Sequence, residues 1–94
     1  KKSIFYDLIT LQKFNNEINS NIENINNIDE IIDLSKPSSS WKYIAHELLS
    51  SYYLKQNDFD NAIQSLNVII NSEDSGEFIR ERAKTVTEMI KENK

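Results

Sequence analysis

The sequence predicts an all-α domain of about five helices folded as antiparallel hairpins. Three observations lead to that class. One Gly and one Pro in 94 residues leave little material for the turns of sheets and barrels. Apolar residues recur at three- and four-residue steps along most of the chain, the spacing that builds one apolar stripe on a helix. The stretch Tyr52-Tyr-Leu-Lys-Gln-Asn-Asp-Phe-Asp-Asn-Ala-Ile63 reads as the passage from one helix into an antiparallel neighbour.

The first helix is expected over about residues 3–18, because Ile4, Phe5, Leu8, Leu11 and Phe14 repeat with helical period. Seven asparagines between Asn15 and Asn27 then weaken helix propensity. The isoleucines at 18, 22, 25, 28, 31 and 32 still keep the period, which predicts a second helix over about residues 22–34 after a break near 19–21. Ser35-Lys-Pro-Ser-Ser-Ser40 reads as a linker. Pro37 drives its predecessor out of the helical region, and the serines offer caps for a third helix over about residues 40–55. That helix is expected to bury Trp41, Ile44, Ala45, Leu48, Leu49 and Tyr52.

Between the third and fourth helices, Asn57 falls where the chain needs a left-handed residue and Asp58 where the next helix needs a cap. The fourth helix, over about residues 58–71, is expected to bury Phe59, Ala62, Ile63, Leu66, Ile69 and Ile70, and Ala62 is small enough for close helix approach. Asp74 with Glu77 has the spacing of a capping box. A fifth helix over about residues 75–92 carries Ile79, Ala83, Val86 and Ile90 at four-, three- and four-residue steps.

The third and fourth helices together resemble one tetratricopeptide unit of about 34 residues. Leu49, Ser50, Tyr53, Ala62, Leu66 and Ile69 fall where that repeat wants large, small, aromatic, small, large and small-to-medium side chains. On this reading residues 1–34 form a degenerate hairpin, 35–40 a linker, 41–74 a tetratricopeptide-like unit and 75–94 a terminal capping helix. Such units stack with a right-handed superhelical twist and need about three copies to bury a continuous core.

Ser40-Trp41-Lys42, Ala45-His-Glu-Leu-Leu49, Asn57-Asp58-Phe59 with Ala62, and Ile79-Arg-Glu-Arg-Ala83 resemble tetratricopeptide-like bacterial proteins related to the ancillary subunit of the SecYEG translocon. Tyr6-Asp-Leu-Ile9 is similar to the opening of an earlier helix in that family. The chain departs from the pattern where Ser40 replaces Pro, Lys42 replaces Arg and Asn57 replaces Gly. The resemblance implies a soluble domain on the periplasmic side of the bacterial inner membrane, held by one membrane helix preceding Lys1. It also implies polypeptide partners among translocon or periplasmic chaperone components.

Charge and composition remove several function classes. Eleven basic against fifteen acidic residues give a net charge of −4, which disfavours nucleic acid because phosphate binding needs a concentrated basic face. No run reaches the roughly 18 apolar residues of a membrane span, and the first residues lack the pattern of a signal peptide. Without cysteine there is no disulfide and no thiol-ligated metal.

Catalysis finds little material. His46, the sole histidine, falls among helical core positions rather than beside a nucleophile. Asp58, Asp60, Glu73 and Asp74 flank turns, where caps explain them better than a metal does. Ser38, Ser39 and Ser40 have no partner base in sequence, and one glycine at Gly76 cannot make a phosphate loop. No catalytic residue, cofactor or metal site is therefore assigned.

The expected function is a non-enzymatic protein–protein interaction scaffold. In stacked hairpins the first helix of each unit lines the inner surface, which nominates Ile44, Glu47, Ser51, Leu54 and Lys55 as partner-binding residues. Arg80 and Arg82 are expected to pair with carboxylates of the neighbouring hairpin. The alternative is a structural homo-oligomerisation domain that pairs through its open repeat ends.

Overall fold

The computed structural model describes residues 4–20 and 28–92. Five α-helices follow in order: α1 (Ile4–Asn19), α2 (Ile28–Leu34), α3 (Lys42–Lys55), α4 (Phe59–Ile70) and α5 (Glu77–Glu92), with a 3₁₀ turn at Glu73–Ser75 before α5. All regular elements among the described residues are helical, as the composition predicts. The expected second helix lies partly outside the described residues, since 21–27 are not among them.

The helices form a slab of 40 × 33 × 17 Å. α3 runs through its middle, packing on α1 and α2 to one side and on α4 to the other, and α5 closes the far edge against α4. Two apolar clusters result. Leu11, Phe14, Ile18, Ile31, Ala45 and Leu49 make the first, and Ala62, Leu66, Ile69, Ala83 and Ile90 the second. Tyr53 packs against both, so one residue of α3 joins the two halves.

The α3–α4 turn forms for local reasons. Asn57 sits at φ 59°, a left-handed conformation that Asn tolerates better than most side chains. The amide of Asp58 donates to the Tyr53 carbonyl at 2.8 Å, and the Asp58 carboxylate accepts from the Asn61 amide at 3.3 Å. One end of α3 and the start of α4 are thereby satisfied together. Ala62, with no exposed surface, lets the two helices approach over a methyl group. Ser50 and Thr87 are buried hydroxyls, each donating to a carbonyl of its own helix, Glu47 at 2.7 Å and Ala83 at 2.8 Å.

Several expectations change. Ile4, Phe5 and Leu8 are exposed at 64%, 72% and 40%, because α2 meets the first turns of α1 on the face of Tyr6, Asp7 and Thr10 and no described element covers the other. Ile44 is exposed rather than buried, Trp41, Leu48 and Tyr52 are half-buried against the first cluster, and Phe59, Ile63 and Ile70 are half-buried against the second. α3 begins at Lys42 rather than Ser40, with Trp41 at its N-cap and the Trp41 amide donating to Ser39 Oγ at 3.0 Å. The expected capping box is replaced by a tertiary contact. Asp74 accepts from the Tyr43 hydroxyl at 2.7 Å, and Gly76, at φ 98°, stands before α5 with its carbonyl accepting from the Arg80 amide. The Tyr43 hydrogen bond, followed by the local backbone amide, holds the Asp74 carboxyl below its usual range.

Candidate functional site

α3 and α5 are the rims of an open cleft of about 300 Å³. Glu47, Leu48, Ser50, Ser51 and Leu54 supply one wall, Arg82, Ala83 and Val86 the other, Leu66 of α4 the floor, and Asn15 of α1 one end. The cleft exists because α4 packs beneath both helices, spacing them one helix apart on the opposite surface. Small residues keep it open: Ser50, Ser51 and Ala83 project little into the space between the rims.

A bidentate ion pair crosses the cleft. Arg82 Nε lies 2.8 Å from Glu47 Oε2, and Nη2 donates to Oε1 at 3.0 Å. The fork of two parallel hydrogen bonds fixes the guanidinium plane. With the Arg82 side chain 61% exposed, the pair contributes only about 0–1 kcal/mol to stability. Its role is positional, holding two opposite charges beside the apolar side chains of Leu54, Leu66 and Val86.

Three of the five nominated partner-binding residues, Glu47, Ser51 and Leu54, line this cleft. Ile44 and Lys55 do not. They lie on the same outer strip of α3 as Ser51, at seven- and four-residue spacing, and both are exposed. Leu54 is half-buried against the second cluster and forms part of the wall rather than a protruding contact. Sequence reasoning missed the opposite wall, Arg82 and Val86. The sequence carried part of the signal, since Arg82 was expected to meet a carboxylate of the neighbouring hairpin, but the spacing of α5 alone did not place its face beside that of Glu47. The arginine expectation divides. Arg82 pairs with Glu47 across the hairpins, whereas Arg80 donates to the carbonyls of Ser72 and Glu73 at 3.2 and 3.0 Å.

A second cleft of about 210 Å³ lies between α1 and α2, bordered by Tyr6, Asp7, Thr10, Asp29, Glu30, Asp33 and Leu34. The Tyr6 hydroxyl donates to Glu30 Oε2 at 2.6 Å, and Lys36 pairs with Asp33 at 2.8 Å. Its carboxylates do not converge: among the described residues no group of three or more His, Asp or Glu side chains is arranged to hold a metal ion. His46, half-buried on α3, has its imidazole pushed below its usual range by burial, against an opposing hydrogen bond to the Ser35 carbonyl. Its Nδ1 has no partner. No helix among the described residues is long and apolar enough to cross a membrane.

No family model, curated protein or solved structure matches the chain.

Proposed function

We propose that the chain is a tetratricopeptide-like interaction module that binds other polypeptides in the α3–α5 cleft and performs no catalysis. The observation that carries this reading is the cleft itself, a channel with an apolar floor, open to solvent and rimmed by a fixed Glu47–Arg82 pair. An apolar floor supplies binding energy to a partner's side chains while polar rims set its register. In the same reading α1, α3 and α5 are the inner helices of successive units, stacked with a right-handed twist. The domain acts on the periplasmic side of the bacterial inner membrane, anchored by a segment outside this chain, near secretion or chaperone machinery; the motif resemblance supports that location.

A photo-crosslinking side chain at Ser51, in the cleft, is expected to capture polypeptide partners in cells. The same group at the exposed Asn67, on α4, is expected to capture none. Equal capture at the two positions contradicts the cleft as the binding surface.

One observation favours the alternative of homo-oligomerisation. Ile4, Phe5 and Ile9 leave 64%, 72% and 62% of their surfaces exposed at one end of the slab, and a second copy or a neighbouring unit would cover such a patch. Sedimentation at increasing concentration, with and without Phe5→Ser, distinguishes the two readings.

A further inference from the structure

We propose that the partner seated along α5 is an amphipathic helix whose apolar stripe is flanked by lysine or arginine. The proposal rests on the reading of the domain as a polypeptide-binding module and adds the partner's shape and charge. Phe78, Arg82, Thr85 and Met89 succeed one another at steps of four, three and four residues, so they share one face of α5. Phe78 is 88% exposed and Met89 55%. Between them the Arg82 charge is answered by Glu47, which leaves two apolar ends joined by a neutralised centre.

Both ends open onto shallow hollows. One of about 370 Å³ is bordered by Phe78 and Val86, and one of about 210 Å³ by Leu54, Val86 and Met89. Val86 also borders the central cleft, so the three form one track along the helix. From Phe78 to Met89 the track runs about 16 Å at about 1.5 Å per residue, the length of three turns of a partner helix.

The flank of the track sets the partner's charge. Glu77, Glu81, Glu88 and Glu92 follow at steps of four, seven and four residues and are all exposed. They form a second row beside the apolar one. Lys84 touches Glu81 at 3.3 Å, a solvent-exposed pair weak enough for a partner's cation to displace. A helix lying on Phe78 and Met89 brings its own flank against this row, where cations are attracted and anions repelled. A second copy of the chain is the poorer occupant, because antiparallel pairing of two α5 stripes sets each glutamate row against its own duplicate.

The test uses two synthetic helical peptides with the same leucine stripe, one flanked by lysines and one by glutamates, titrated against the domain by fluorescence anisotropy. The lysine peptide is expected to bind about tenfold more tightly or better, with the preference shrinking as salt is added. Glu88→Lys should largely remove that preference. Gln64→Lys with Asn67→Lys, exposed positions on α4 that change the net charge equally, should leave it in place. Phe78→Ser with Met89→Ser should weaken both peptides. Equal affinity for the two peptides overturns the charge rule; if Ser51→Trp then blocks both, the polypeptide-binding reading stands without it. Binding of neither peptide overturns the inference, and if Ser51 crosslinks are also absent the broader reading falls with it. A concentration-dependent dimer removed by Phe78→Ser with Met89→Ser assigns the stripe to a second copy and likewise overturns the proposal.

Discussion

In the C-terminal half, α3 and α4 meet over Ala62 through a turn where Asn57 takes the left-handed conformation and Asp58 caps the next helix. In the N-terminal half, α1 meets α3 through Leu11 and Phe14 while its first turns, from Ile4 to Ile9, stay largely exposed. The first contact adds Ala62 and local hydrogen bonds to the large side chains of Tyr53, Leu54 and Leu66, whereas the second rests on large side chains of α1 that bury only where a neighbour stands. A hairpin completed by small residues and caps is closed by its own sequence. A helix relying on bulky apolar residues remains open on any face that no described element covers, as at Ile4, Phe5 and Ile9.

The largest expected effect breaks the N-terminal half. Phe14 is fully buried, with its ring centroid 5.9 Å from that of Tyr52. Phe14→Ala is expected to cost about 3–5 kcal/mol, measured by urea denaturation. A loss well below that range would mean that the first cluster is not a packed core.

Next comes the small-residue contact. Ala62→Leu should destabilise by about 1–3 kcal/mol through overpacking at the α3–α4 crossing. An unchanged midpoint would show that the helices do not approach there as closely as Ala62 permits. Smaller again is the turn between them. Asn57→Ala should cost about 1 kcal/mol, because alanine tolerates a φ of 59° poorly, while Asn57→Gly should not destabilise by a comparable amount. Equal losses for both would point to the Asn57 side chain rather than the backbone.

The smallest effect lies on α3 where it meets the linker. Burial holds the His46 imidazole below its unfolded value of 6.5, so the unfolded chain takes up the proton more readily. Its contribution to stability is therefore present above about pH 6.5 and lost progressively as pH falls toward the lower folded-state value. His46→Gln should flatten the fall in urea midpoint between about pH 7.5 and pH 5.5. An identical fall in both proteins would assign it to carboxylates instead.

The same contrast explains what the sequence disclosed. Asn57, Asp58 and Ala62 act on backbone within a few residues of themselves, so residue type and spacing were enough to locate the turn. The apolar period of α1 was equally legible, but a period gives the face of a helix and not whether anything covers it. Ile4, Phe5 and Leu8 were accordingly expected in the stripe and are found exposed. Asp74 misled because a capping pattern is local, whereas Tyr43, 31 residues away, competes for the carboxylate. Half of the cleft was legible for the converse reason. Glu47, Ser51 and Leu54 recur on one face of α3 and were nominated from that spacing, while Arg82 meets Glu47 across 35 residues of chain and needed the third dimension to be placed in the cleft.

Which surface takes a polypeptide is tested most directly by amide NMR of the domain titrated with the lysine-flanked helix. The account predicts shifts concentrated over Glu47–Leu54 on α3 and Phe78–Met89 on α5, with Ile4–Ile9 of α1 unchanged. Shifts confined to Ile4–Ile9, with those two segments silent, would contradict it.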